Sequence, residues 1–341
     1  MIYRRLAIRT AGRVLCYPIQ AVIWLEWDNT ALDQEGSHNY PDFPLKLSML
    51  IWTSLIHFHP FTPYTENPMS LTVIEKRVRF RALHQQGCFI LPNPWDAGSA
   101  RILQSLGFSA LASTSTGYAW TMGRPDYAMT RDAVLDHLSV LCESVDLPVN
   151  ADFESGFAEE PEGIAENVTL AIETGIAGVS IEDRKIGNLS QLYDQAQSVD
   201  RIRAARSAID ETGEDVVLVA RTEGLLIDST GIKKAIDKLV AFADAGADCL
   251  YAPGVGKKED ISAMVRAVAP KAVNVLVMGA GLTAAELEQL GVRRISVGGA
   301  LALSAWGAMV TSSEMLKAGK FDSLGGQTSG GRMNEIFSTF E

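Results

Sequence analysis

From Met69 onward, short continuous apolar runs alternate with amphipathic stretches, and that alternation constrains the fold of this 341-residue chain more than anything else in it. Continuous apolar strands suit a parallel sheet covered on its outer face, and the amphipathic stretches between them are the covering helices. Strands are predicted at 88–92, 108–112, 147–151, 177–181, 216–220, 249–252, 272–277 and 294–297. Asp96 is an N-cap residue for a helix over 97–105, a second helix spans 131–144, and Pro161 opens a third that runs to Thr174-Gly175. The last predicted barrel helix is 300–317. Eight strand–helix units in about 270 residues is the count and size of a (β/α)8 TIM barrel, an α/β fold. The alternative is an open doubly wound sheet, but no G-x-G-x-x-G follows the first strand.

Residues 1–68 do not share the pattern. They hold Trp24, Trp27, Trp52, His38, His57 and His59 with no long helical or strand period, and Arg4, Arg5, Arg9 and Arg13 precede the first acid, Glu26. The segment reads as an N-terminal extension: a disordered or mis-assigned start ahead of Met69-Ser70, a targeting arm, or an ordered accessory segment. The apolar run 50–58 is too short to span a bilayer. The barrel is assigned to 69–341.

The chain has 30 basic and 41 acidic residues, net −11, so phosphate backbones and anionic lipid repel it; neither nucleic acid nor membrane is an expected partner. Cys16, Cys88, Cys142 and Cys249 lie far apart with no C-x-x-C pair, which argues against a zinc ribbon or a disulfide framework and for a reducing, cytoplasmic setting. A genuine presequence in 1–68 would make it mitochondrial.

In a (β/α)8 barrel, chemistry sits in the loops after the strand C-termini. Asp152 and Glu154 follow the third strand, Glu182 and Asp183 the fourth, Arg221 and Glu223 the fifth. Carboxylates converging on one mouth repel unless a cation lies between them. An oxygen-only set with no histidine or cysteine nearby favours Mg2+ or Mn2+ over zinc. Arg221 then holds a substrate carboxylate by a two-pronged contact. The second strand leads into Ser113-Thr114-Ser115-Thr116-Gly117, which is either an anion-binding loop or a flexible turn. A lone strand-end acid is more often a helix cap than a ligand, and Asp183 reads as such a cap or as a solvated charge.

At these residues the sequence resembles a known family. Residues 89–98 (FILPNPWDAG), 149–156 (VNADFESG), Ile181-Glu182-Asp183, Val219-Ala220-Arg221-Thr222 and 294–298 (RISVG) resemble, in order and spacing, the isocitrate lyase/phosphoenolpyruvate mutase superfamily. The likeness spans residues 72–320 and is strongest to the phosphonomutase-like branch, which includes carboxyphosphonoenolpyruvate phosphonomutase and methylisocitrate-lyase-like proteins. It implies a Mg2+- or Mn2+-dependent barrel acting on a pyruvate-like unit, whose C3 bond to carbon or phosphorus is made or broken through an enolpyruvate-type oxyanion. By position, Asp152 matches the direct metal ligand, Glu182 an acid holding a water of the metal, and Asp126 another outer carboxylate. Glu154 sits where close relatives also carry an acid. Asn150 stands where many relatives have a second aspartate. Ser115, Thr116 and Gly117 match an oxyanion-binding loop, Arg221 the carboxylate-binding arginine, and Asn274 a polar strand position of this branch that reads equally as a buried amide. The resemblance also implies a homodimer or homotetramer that exchanges the last helix between subunits.

One departure bears on mechanism. The lyases of this superfamily carry a cysteine in a Lys-(Lys/Arg)-Cys-Gly-His loop after the fourth strand, whereas residues 183–193 here read DRKIGNLSQLY. Lys185 and Asn188 stand in for the lysine and asparagine of the mutases, in a shorter loop. Lys185 is thus the charged group left to meet a developing oxyanion. Three readings follow: a metal-dependent lyase or phosphonomutase on a small 2-oxo or 2-hydroxy carboxylate; a barrel enzyme on a phosphorylated substrate cradled by Ser296-Val297-Gly298-Gly299; and a catalytically silent member, suggested by Asn150 and the altered loop.

Overall fold

The computed structural model describes residues 6–10, 13–17, 71–227, 231–325 and 328–341. The first two segments, β1 (Leu6–Thr10) and β2 (Arg13–Tyr17), form a short antiparallel hairpin in register from Leu6↔Tyr17 to Thr10↔Arg13. The rest of 1–68, with its tryptophans and histidines, and the candidate start Met69-Ser70 lie outside the described residues. The chain divides into one unit over Met1–Pro63 and another over Tyr64–Glu341.

The second unit is the barrel. Its elements are α1 (Val73–Leu83), β3 (Phe89–Leu91), α2 (Ala97–Ser105), β4 (Leu111–Ala112), α3 (Ser115–Thr121), α4 (Arg131–Ser144), β5 (Val149–Asp152) and α5 (Pro161–Glu173). There follow β6 (Gly178–Glu182), α6 (Gln195–Thr212), β7 (Val217–Arg221), α7 (Gly224–Ile227), α8 (Gly231–Asp244) and β8 (Cys249–Tyr251). The chain closes with α9 (Lys258–Val268), β9 (Ala272–Leu276), α10 (Ala284–Gln289), β10 (Arg294–Ser296), α11 (Ala300–Lys317) and α12 (Gly330–Phe337). The predicted caps hold: Asp96 and Ser99 form a reciprocal capping box at α2, and Pro161 occupies the first turn of α5.

All eight barrel strands run parallel, in the order β3-β10-β9-β8-β7-β6-β5-β4. The seam between β3 and β4 closes without a ladder: the Ala112 N–H donates to Pro92 O at 3.0 Å, and Asn93 Nδ2 donates to Ser113 O at 3.0 Å. Asn93 Oδ1 also accepts from Val297 and Gly298 N–H, at 3.0 and 2.8 Å, so one side chain pins three strand ends together.

Side chains alternate across each strand, so the apolar runs feed two separate cores. Leu218 and Ala220 of β7 join the strand–helix layer, while Val217 and Val219 face inward with Leu91, Cys249, Tyr251 and Phe80. Phe80 is the contribution of α1, a fully buried ring inside the barrel. Truncating it would cost about 3–5 kcal/mol. Gly178 makes room for it, since a Cβ there would meet the Phe80 ring at 2.6 Å and Asn150 Oδ1 at 2.7 Å. The same alternation points Asp152, Glu182, Arg221 and Tyr251, the last residues of their strands, toward one mouth.

Candidate active site

Adjacent strands bring the predicted residues into register, Glu182 opposite Arg221 and Arg221 opposite Tyr251. Asp152 Oδ2 accepts from both the N–H and the hydroxyl of Ser115, each at 2.9 Å, and its own N–H donates to Ser113 Oγ at 2.8 Å. Its Oδ1 is left 3.7 Å from Arg221 Nη1. The Ser115-Thr116-Gly117 run is neither a free loop nor a flexible turn. It is the first turn of α3, with Thr114 capping the Gly117 N–H at 3.2 Å. Ser115 holds Asp152.

Glu182 is enclosed; its Oε1 accepts from the Tyr127 hydroxyl at 2.7 Å and its Oε2 lies 3.4 Å from Arg221 Nε. Glu223 takes both arginines, Arg221 Nε on one oxygen and Arg184 Nη2 on the other at 2.9 Å. The Arg184 guanidinium also lies 4.9 Å from the Tyr127 ring centre, and that of Arg221 lies 5.1 Å from the Tyr251 ring centre. Asp183 is neither helix cap nor solvated charge. It is buried and accepts from the Thr222 hydroxyl at 2.7 Å, the Glu223 N–H at 2.8 Å and Lys238 Nζ at 2.6 Å, tying the loop after β6 to the one after β7.

Carboxylates outnumber guanidiniums here, and the acids respond. Burial first, then Asp152, Glu182 and Asp126, push Glu154 up to about 8, and its Oε1 is buried without a hydrogen-bond partner. Burial raises Glu182 to about 7 against the pull of Arg221. Burial likewise raises Asp126. Glu223 goes the other way, because Arg221 and Arg184 outweigh its burial and hold it below the ordinary carboxylate range. Cys88, Cys142 and Cys249 are free, and burial pushes their thiols up to about 11, 12 and 11, so none is primed as a thiolate.

The sequence model of the phosphoenolpyruvate phosphomutase family matches residues 80–317, most of the barrel. The chain belongs to this family. A Burkholderia cenocepacia J2315 protein with a provisional lyase/mutase description is 44% identical, with a TM-score of 0.75 over 78% of this chain and 97% of that one. 2,3-Dimethylmalate lyase, a member of the phosphoenolpyruvate mutase/isocitrate lyase superfamily, is 26% identical, with a TM-score of 0.69 over 80% of this chain and 96% of its own. Oxaloacetate decarboxylase of Paraburkholderia xenovorans is 28% identical over 66% of this chain and 75% of its own. Like the lyases and phosphonomutases it resembles, the chain is an enzyme of that superfamily.

Within this family member, not every predicted residue reaches the mouth. Asn274 is fully buried lower in the barrel, accepting from Arg294 Nε at 2.9 Å and donating to Ser296 Oγ at 2.9 Å. Asn150 also lies a layer below Asp152, with its Oδ1 accepting from Arg294 Nη1 at 3.1 Å. Lys185 lines a separate hollow with Glu159, Glu160 and Arg201, while its neighbour Arg184 stands among the acids. Sequence reasoning missed Tyr127, Arg184 and Asn93. The one local signal was the E-D-R triplet itself, which places a cation directly after two strand-end acids.

Proposed function

We propose that the mouth binds a small 2-oxo or 2-hydroxy carboxylate beside Mg2+ or Mn2+, and makes or breaks a bond from its C3 to carbon or phosphorus through an enolpyruvate-type oxyanion. The observation that carries this reading is the convergence of Asp152, Glu182 and Glu154 around Arg221, an oxygen-only set with more negative charge than its arginines balance. The orphaned Glu154 oxygen supports the fit of a cation. Among the described residues no three His, Cys, Asp or Glu side chains are close enough to ligate one ion together. The set therefore suits a cation that takes one direct carboxylate, Asp152, and completes its shell with water, as Mg2+ does; Glu182, Asp126 and Glu154 would act from outside. A bound cation of this kind supplies the charge that lowers the energy of an enolate oxygen.

The chain's own residues do the rest. Arg221, with Nε braced on Glu223, turns its fork to the substrate carboxylate. The first turn of α3 fixes Asp152, and the Tyr127 hydroxyl fixes Glu182. The charge facing the departing group falls to Arg184 at the head of the 184–193 loop, with Lys185 beside it as the candidate that requires the loop to move. Two relatives are named for substrates of this size, a 2-hydroxy acid (2,3-dimethylmalate) and a 2-oxo acid (oxaloacetate). The phosphate reading is weaker, since the Val297 and Gly298 amides that would cradle a phosphate already donate to Asn93.

Calorimetric titration of Asp152→Ala with Mg2+ tests the assignment. Metal affinity and turnover should both vanish while the circular dichroism spectrum stays that of the folded barrel. An unchanged Mg2+ affinity would sink it.

A further inference from the structure

Arg294 lies on β10 with its side chain inside the barrel, 3% exposed. It donates from Nε to Asn274 Oδ1 at 2.9 Å and from Nη1 to Asn150 Oδ1 at 3.1 Å. Both partners are amides, and no Asp or Glu pairs with it among the described residues. Burial dominates its surroundings, and the groups that bear on its charge are the Cys249 thiol, the Tyr251 hydroxyl and then Asp152, two residues beyond Asn150 on β5.

An unpaired guanidinium in a barrel interior is expensive, because water is lost and no opposite charge replaces it. The expense would be easy to avoid. Asp has the shape of Asn, and an Asp at 150 or 274 would pair the charge where it stands. The chain instead has the neutral isostere at both positions, and Gly178 clears the space that the Asn150 amide fills. The two amides hold the guanidinium in one orientation while leaving its charge uncompensated. Above it lies the acid-rich mouth; below it burial keeps His84 neutral, its pKa held at about 3.

We propose that Arg294 is a positioning residue whose uncompensated charge, held by Asn150 and Asn274 beneath Asp152, biases the mouth toward anionic ligands and against excessive cation affinity. The inference rests on the reading of Asp152 as the ligand of a divalent cation. Two residues of strand is roughly 7 Å, a range at which a buried unit charge still acts strongly. The field has opposite signs for the two ligands. It stabilises an oxyanion or carboxylate over the mouth and repels Mg2+, which a purely structural arginine would not do.

The test is calorimetric titration with Mg2+, and with oxalate at saturating Mg2+, alongside thermal melts. Asn150→Asp should keep or raise Tm, weaken oxalate about tenfold and tighten Mg2+ severalfold. Asn274→Asp should do the same from the opposite strand. Arg294→Gln, which removes the charge without adding an acid, should reproduce both shifts, and Arg294→Lys should restore both affinities. Asn150→Ala, which keeps the charge, should lower Tm yet leave each affinity within about threefold. Affinities that move in the same direction, or oxalate binding unchanged in Asn150→Asp and Asn274→Asp, would overturn the proposal. Mg2+ binding that survives Asp152→Ala would overturn the metal reading and this inference with it, whereas failure of the wild type to bind oxalate, with Mg2+ binding still lost in Asp152→Ala, would overturn the inference alone.

Discussion

Glu154 and Glu182 are carboxyls withdrawn from water into a site that already holds other acids, and that burial pushes both up, Glu154 to about 8 and Glu182 to about 7. A carboxyl whose native pKa lies above its unfolded value binds its proton more tightly when folded. Its stabilisation is therefore complete below the ordinary value of 4.5 and lost as pH rises through the native value. The metal-free protein should accordingly melt at lower temperature as pH climbs from about 5 to about 8. Glu154→Gln should flatten that decline, and a Tm that instead rises over this window would contradict the account. Asp152, Glu182 and Arg221 were legible in the sequence because each ends an apolar strand, where the barrel concentrates its chemistry. Tyr127 was not, because its partner lies 55 residues away, and Arg184 had only the E-D-R triplet to mark it, since its Glu223 partner lies 39 residues away. Tyr127 also sits at φ 61, a left-handed conformation that its residue type does not advertise. Asn150 read as a missing outer acid and Asn274 as a substrate-binding position or a buried amide, and the fold brings Arg294 between them.

Among the elements, helices carried the stronger sequence signal. Asp96, Pro161 and the apolar spacing of α4 and α11 set boundaries that the structure keeps. Strands were less sharp: 108–112 shrinks to Leu111–Ala112, because at the β3–β4 seam a single backbone bond replaces a ladder. The α3 helix escaped notice since Ser and Thr signal turns as readily as caps. The 184–193 loop is where the sequence lacks the cysteine motif of the resembled lyases. It folds back on itself, with the Lys185 N–H on Gln191 O and the Tyr193 N–H on Asp183 O, both at 2.9 Å. Its base is clamped by Arg201, which stacks 4.1 Å from the Tyr193 ring centre and donates to Ala158 O at 2.7 Å. This clamp leaves Arg184, not Lys185, among the site acids. Arg184→Ala should lower kcat at least tenfold, and Lys185→Ala by less than about threefold. The reverse order in steady-state kinetics would show that the loop swings Lys185 inward during turnover.

At the scale of the whole molecule, α11 is the feature one barrel does not account for. Its Leu301, Leu303, Met309, Val310 and Leu316 are exposed, while Ala302 is its buried residue. So much apolar surface on one helix calls for a partner, and a second copy of this chain is the one we propose. Sedimentation should give a dimer or larger, and Trp306→Glu, in the middle of that helix, should split it; a wild-type monomer would refute the assembly. Among the described residues no helix is long and apolar enough to cross a membrane. Exchange of the C3 protons of pyruvate into deuterated water, followed by NMR, reports whether the mouth forms the proposed enolate. Exchange should require Mg2+ or Mn2+, stop with EDTA, and be lost in Asp152→Ala and Arg221→Ala. Exchange indifferent to metal, or none above the buffer rate at saturating metal and pyruvate, would contradict the proposed enolate chemistry.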